Sequence, residues 1–260
     1  FATTYAASSQ QIMVRAIRNP NGTPVLHSKY VSVPSYSWPP NATQLGTSNQ
    51  AATIDYRIKS GVVRNGKLWL CHNTGNNNAC QVRWYEIDLR GWPTSGAYPT
   101  LFQSGTLNYG SGDHTWFGDI NVSDNGLAAI SFSRSSATQY ISIEYATREA
   151  SDPAGVFSNP ELLQMSTSPE GGNRWGDYSG LEEDPVIPGK FWSHNEFRTS
   201  SWKTWVGEFE IQQGLELSIS SVTPGGIAAF NITGADNGER VHFLLSLNSG
   251  SYTPPQLGGL

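Results

Sequence analysis

The chain has 260 residues and a formal net charge of −5, and only 14% of its residues are charged. Such a surface carries no electrostatic footprint for DNA or RNA, whose binding rests on clustered Lys and Arg, and no apolar run approaches the ~20 residues that span a bilayer. Aromatic residues reach 12% with nine Trp, and 27 Gly and 15 Pro punctuate the chain, a mixture that favours short strands and tight turns over helices. The chain opens at Phe1 with neither a Met start nor the charged and apolar regions of a signal peptide. The expectation is that a leader has been removed or that a larger upstream part precedes it.

In chain order, residues 11–17 read as a strand, Asn19-Pro20-Asn21-Gly22 as a turn and residues 25–33 as a second strand, before a Pro/Ser/Asn-rich connection over 34–46. A clearer unit follows. Ser60-Gly61-Val62-Val63 is a strand, and Arg64-Asn65-Gly66 is a hairpin turn because Asn-Gly takes φ > 0 readily. Residues 67–72, 81–89 and 101–107 are the next three strands. Residues 114–168 repeat the plan through Phe117-Gly118-Asp119-Ile120-Asn121-Val122, the turn Asp124-Asn125-Gly126, and strands over 127–134, 139–148 and 160–165.

A third unit begins at Arg174-Trp175-Gly176-Asp177-Tyr178-Ser179, which reads as the entry to a strand. Asp184-Pro185 turns it, Phe191-Trp192 starts the next strand, and Trp202-Lys203-Thr204-Trp205 starts the last. Gly118-Asp119 and Gly176-Asp177 stand 58 positions apart. A period of about 55–60 residues with four strands per repeat predicts an all-β chain folded as a β-propeller. Three units and a partial one do not close a ring, and an open propeller exposes strand edges. Either the chain is a piece of a longer polypeptide, or self-association or a neighbouring chain covers those edges. From Leu215 the texture changes to short alternating strands at Leu215-Glu216-Leu217-Ser218-Ile219, at Ala228-Ala229-Phe230-Asn231-Ile232 and at Val241-His242-Phe243-Leu244-Leu245, which predicts part of a β-sandwich.

Cys71 and Cys80 flank His72-Asn73-Thr74-Gly75-Asn76-Asn77-Asn78-Ala79, a strong turn sequence between apolar strands. A disulfide across this hairpin is expected, stabilising by roughly 2–3 kcal/mol and placing the chain in an oxidising compartment. The alternative is two free buried thiols.

Residues 57–211, 155 of the 260, resemble a group of secreted bacterial β-propeller proteins. The resemblance rests on Val62-Val63-Arg64-Asn65-Gly66-Lys67-Leu68-Trp69, Arg83-Trp84-Tyr85-Glu86-Ile87, Phe132-Ser133-Arg134-Ser135-Ser136, and Arg174-Trp175-Gly176-Asp177-Tyr178-Ser179 with its Asp-Pro and Phe-Trp. The tail is similar to an Ig-like C-terminal module of secreted bacterial proteins. The resemblance implies a secreted or cell-surface location, with blades over 1–212 and the start of an Ig-like β-sandwich over 213–260. It implies a fold more than an activity. The Asp-box of sialidases, Ser-x-Asp-x-Gly-x-Thr-Trp, does not occur; Ser123-Asp124-Asn125-Gly126 is a partial echo.

Several residue sets carry candidate chemistry. Asp119 and Asp177, if they face one cavity, supply the acid and base of glycoside cleavage; alternatively each bonds backbone amides between blades, which suits their shared place in the repeat. Arg174, Tyr178, His114 and Arg57 fall near the same rim, where Arg holds a carboxylate bidentately and Tyr or His moves a proton; the alternative is inter-blade hydrogen bonding. His194 and Glu196 share a strand face but lack an evident third metal ligand. Glu182-Glu183-Asp184 could take calcium, or be a solvated hairpin tip. Trp69 and Trp192, and less closely Trp84 and Trp205, repeat and so belong to cores, whereas Trp38, Trp92 and Trp116 depart from the repeat and are candidates for exposed ligand contacts. No nucleophile elbow, phosphate loop, dinucleotide fingerprint or Cys-x-x-Cys pair occurs. The expected function is a binding or structural scaffold for a glycan or protein ligand. The alternatives are a carbohydrate-active hydrolase or lyase acting on the channel rim, and a subunit of an extracellular assembly.

Overall fold

The computed structural model describes residues 1–4, 9–211, 216–219 and 230–233, the last two segments as backbone. The chain divides into two compact units, Phe1–Ile211 and Gln212–Leu260. Every regular element among the described residues is a β-strand.

The first unit contains four antiparallel sheets, each formed by strands consecutive in the chain. The first sheet holds β1 (Ala2–Thr4), β2 (Gln11–Arg18) and β3 (Val25–Ser32). The second holds β4 (Ile58–Arg64), β5 (Lys67–Asn76), β6 (Ala79–Asp88) and β7 (Thr100–Thr106). The third holds β8 (His114–Val122), β9 (Ala128–Ser136), β10 (Gln139–Arg148) and β11 (Glu161–Met165). The fourth holds β12 (Gly180–Glu183), β13 (Lys190–Arg198) and β14 (Trp202–Glu210). In the second unit β15 (Glu216–Ile219) pairs antiparallel with β16 (Phe230–Thr233). The strand expected over 241–245 lies outside the described residues.

Turn chemistry sets the hairpins. Asn65 and Gly66 take φ of 50° and 75° between the paired residues Arg64 and Lys67, the mirror-image turn that matches strand twist. Asn77 and Asn78 do the same at φ of 47° and 63° between Asn76 and Ala79. Asn tolerates the left-handed region better than other non-glycine residues.

Successive sheets pack face to face. Ile12, Val14 and Val31 meet Leu68, Leu70, Tyr85 and Ile87 between the first and second sheets. Trp69, Cys71, Val82 and Trp84 meet Ile120, Ile130 and Phe132 between the second and third. Leu127, Ala129 and Tyr145 meet Leu181, Phe191 and Phe209 between the third and fourth. Along β5, even and odd side chains therefore enter different cores, which explains its nearly continuous burial. Among the described residues the fourth sheet is covered on one face only, and β13 alternates between buried and exposed residues.

Three expectations are corrected. The hexapeptide Arg174-Trp175-Gly176-Asp177-Tyr178-Ser179 precedes β12 rather than entering a strand, and its unit has three strands among the described residues. Cys71 and Cys80 are free and buried, not bridged. The two-residue turn sets a register in which Cys71 faces Trp84 and Cys80 faces Gly75. The thiols enter different cores, one against Ile120 and Phe132, the other against Trp116 and Ile141. Trp92 and Trp116 are buried rather than exposed, and Trp116 is fully enclosed.

Candidate ligand-binding cleft

Of the expected catalytic residues, Asp119 lies in a polar seam where β4 and β12, the first strands of the second and fourth sheets, adjoin β8, the first strand of the third. Asp119, on β8, accepts a hydrogen bond from the Ser60 hydroxyl of β4 through one carboxylate oxygen. Its other oxygen accepts the Leu181 amide of β12 at 3.0 Å. Burial pushes its pKa up to about 6, with the Glu182 charge adding and the Ser60 and Leu181 hydrogen bonds opposing. Asn121 extends the seam, donating to the Leu181 carbonyl and to Glu182, both at 3.0 Å.

A bulge interrupts β8 between Trp116 and Asp119, and Phe117 takes φ of 49° there. Such a conformation persists where the surroundings over-determine it. The Phe117 amide donates to Asn73 Oδ1 at 3.0 Å, and its carbonyl accepts the Ser179 hydroxyl at 2.6 Å. The Cys71 thiol donates to the Gly118 carbonyl at 3.1 Å.

Ser179 belongs to the hexapeptide, of which Trp175 and Gly176 also meet strand residues. Trp175 is buried, and its indole N–H donates to Ser133 Oγ of β9 at 3.2 Å. A side chain at Gly176 would lie 2.6 Å from a Glu196 oxygen. Arg174 and Asp177 pair at 2.6 Å on the surface, beside Tyr178, which is 74% exposed. Asp119 lies within a strand while Asp177 precedes one, so the two do not occupy equivalent places. Each carboxylate is engaged by its own partners.

The remaining expected residues are dispersed. His114 is buried and accepts the Cys80 amide at Nδ1, 3.1 Å away, and burial lowers its pKa. Arg57 is exposed and pairs with Asp55 at 2.6 Å. Glu182, Glu183 and Asp184 turn to different partners: Asn121 at 3.0 Å, Arg64 at 3.6 Å, and the Val186 and Ile187 amides. Among the described residues no three His, Cys, Asp or Glu side chains are grouped as a cation site requires.

A concavity lies elsewhere, at one end of the second and third sheets. It is a polar cleft of about 680 Å³, lined by Asn76, Asn77 and Gln81 of the β5–β6 hairpin, Asn108 and Tyr109 of the β7–β8 loop, Arg134 of β9, and Asn159. Tyr109 stacks on Phe132 with ring centroids 5.9 Å apart, and its hydroxyl donates to the Ser158 carbonyl at 3.4 Å. Burial pushes that phenol's pKa up. Arg134 donates to Asp113 at 2.6 Å and Glu144 at 3.0 Å. Burial opposes its charge, but these two carboxylates outweigh burial and hold its pKa above the ordinary value. Glu144 is fixed in turn by Ser142 at 2.7 Å and Gln139 at 3.0 Å.

The lining carries amide donors and acceptors, one aromatic ring and a guanidinium with both terminal nitrogens engaged. Such a set recognises hydroxyl groups and ring faces, and none of its members is a carboxylate. Tyr109, Asn108 and Asn159 carried no flag in the sequence; the loop Asn108-Tyr109-Gly110-Ser111-Gly112-Asp113 and the lone Arg134 within a Ser run were the available signals. A second cleft of about 430 Å³ is lined by Trp38, Pro39, Pro40, Gly75 and Asn76-Asn77-Asn78, and shares Asn76 and Asn77 with the first.

Comparison with protein-family models, with curated proteins and with solved structures finds no match to this chain.

Proposed function

We propose that this chain is part of a secreted or cell-surface β-propeller that serves as a binding scaffold, with a glycan as its ligand. The observation that carries the reading is the cleft between the β5–β6 hairpin and the β7–β8 loop, with its five amide side chains at Asn76, Asn77, Gln81, Asn108 and Asn159 beside Tyr109. Amides satisfy paired hydroxyls, and an aromatic ring stacks on the apolar face of a sugar. The propeller part of the reading is supported by consecutive antiparallel meanders packed face to face, and the location by the resemblance to secreted bacterial proteins. Scaffold rather than hydrolase is favoured because Asp119 and Asp177 are each bound to structural partners. The test is equilibrium binding of the chain to an oligosaccharide panel, with product analysis of the same mixtures. Saturable binding without new reducing ends supports the reading. No saturable binding, or cleavage abolished by Asp177→Asn, overturns it.

A second reading, a subunit of an extracellular assembly, is favoured by the face of the fourth sheet that the described residues leave open, where Trp192, Trp202 and Val206 are exposed. Sedimentation of the chain over a concentration series tests it; a monomer throughout would sink it.

A further inference from the structure

The two clefts are not separate features. Asn76, the last residue of β5, and Asn77, the first of the turn, line both of them, so the two clefts share the tip of the β5–β6 hairpin as a wall. A ligand lying in the larger cleft need only pass over that turn to reach Trp38.

Trp38 is built to be met. It is 65% exposed, yet the residue before it is clamped to β5. The Ser37 amide donates to Thr74 Oγ1 at 3.0 Å, the Ser37 hydroxyl donates to the Gly75 carbonyl at 3.0 Å, and the Gly75 amide donates to the Ser37 carbonyl at 3.2 Å. A side chain at Gly75 would lie 2.5 Å from the Trp38 carbonyl, so that approach requires glycine. The indole stands edge-on to Tyr56 at 5.5 Å, which is itself packed on Tyr36 at 5.4 Å. A large apolar ring held in water has lost its ordering entropy in advance, which favours a stacking partner.

Charge narrows the partner further. Among the described residues Arg134 is the sole cation lining either cleft, and its two terminal nitrogens are committed to Asp113 and Glu144. A carboxylated or sulfated sugar would find no unpaired cation there and would approach two carboxylates. An uncharged sugar meets no such penalty.

We propose that the ligand is an extended, uncharged oligosaccharide that crosses the Asn76-Asn77-Asn78 turn, with one ring stacked on Trp38 and the remainder along the cleft beside Tyr109. This rests on the glycan-binding reading above. The experiment is calorimetric titration of the full chain with uncharged gluco-, manno- and N-acetylgluco-oligosaccharides of two to six rings, and with oligogalacturonates as the acidic comparison. Affinity for at least one uncharged series is expected to rise with length until both clefts are filled. Trp38→Ala should weaken the longest oligomer by about three- to tenfold, leave the shortest nearly unchanged, and be rescued by Trp38→Tyr. Unfolding midpoints of both variants should match the parent, because the ring is exposed. Length-independent affinity, or a long oligomer indifferent to Trp38→Ala, overturns the crossing. Tighter binding of oligogalacturonates overturns the uncharged class while leaving glycan binding intact. Failure of every saccharide overturns the glycan reading itself.

Discussion

The Asp119 carboxylate accepts the Leu181 amide 3.0 Å away, and so one side chain joins β8 to β12 while also holding Ser60 of β4. A carboxylate in this place closes the ends of three sheets with two hydrogen bonds. The cost is a buried acid whose pKa is pushed up to about 6.

That cost makes a pH signature. The folded pKa of Asp119 lies above its unfolded value near 3.8. Its contribution is therefore fully present below pH ~4 and is lost as pH rises through ~6, by up to ~2–3 kcal/mol. Urea unfolding of the parent and of Asp119→Asn from pH 4 to pH 7 measures it. The parent's advantage over the variant should shrink by that amount across the window, and parallel curves would remove the account.

His72 titrates with the opposite sign. Its Nδ1–H donates to the Tyr56 carbonyl at 2.7 Å, and Nε2 accepts the Tyr85 hydroxyl at 2.9 Å. Burial lowers its pKa from 6.5 to about 4. The neutral ring's contribution is complete above pH ~6.5 and falls by up to ~3 kcal/mol as pH drops through ~4. Between pH 4 and pH 6 the two groups oppose each other. His72→Gln should flatten the acid arm of the stability curve, whereas Asp119→Asn should steepen it. An acid arm unaltered by His72→Gln would count against a buried neutral imidazole.

Burial raises the pKa of both Cys71 and Cys80 thiols. Native protein should show two unmodified thiols by intact mass and react slowly with a thiol reagent, then rapidly after guanidinium unfolding. A native mass two hydrogens lighter, with a peptide linking Cys71 to Cys80, would contradict the hairpin register.

Gly105, on β7, sits against the Gly155 carbonyl and the Trp84 indole, and an added Cβ would collide with both. Backbone cannot yield as a flexible side chain does. Gly105→Ala is expected to cost about 1–3 kcal/mol or more. Gly22, which has nothing within 4 Å of an added Cβ, should accept Ala within about 0.5 kcal/mol. Equal unfolding midpoints for the two variants would refute the close packing at β7.

Much of the strand plan was legible, because strands and turns are local. The short apolar runs Val62-Val63 and Leu68-Trp69-Leu70 on either side of the Asn65-Gly66 pair set β4, β5 and their turn, and runs flanking Asp124-Asn125-Gly126 mark the third sheet in the same way. The candidate cleft was scarcely legible. Asn76, Asn108, Arg134 and Asn159 come from separate stretches and meet only because consecutive sheets stack.

By itself the sequence determined the all-β character, the hairpin turns and the order of strands, since side-chain period and φ preference act within a few residues. The tertiary structure decided what each repeated residue does. Trp69 and Trp192 both stand third in their strands, yet Trp69 is 6% exposed and Trp192 is 41% exposed. Among the described residues the second sheet is covered on both faces and the fourth on one. Cys71 and Cys80 were parted by a turn two residues long rather than a wider loop, since register moves every residue of a strand together. Burial and register are properties of neighbours that the local sequence does not contain.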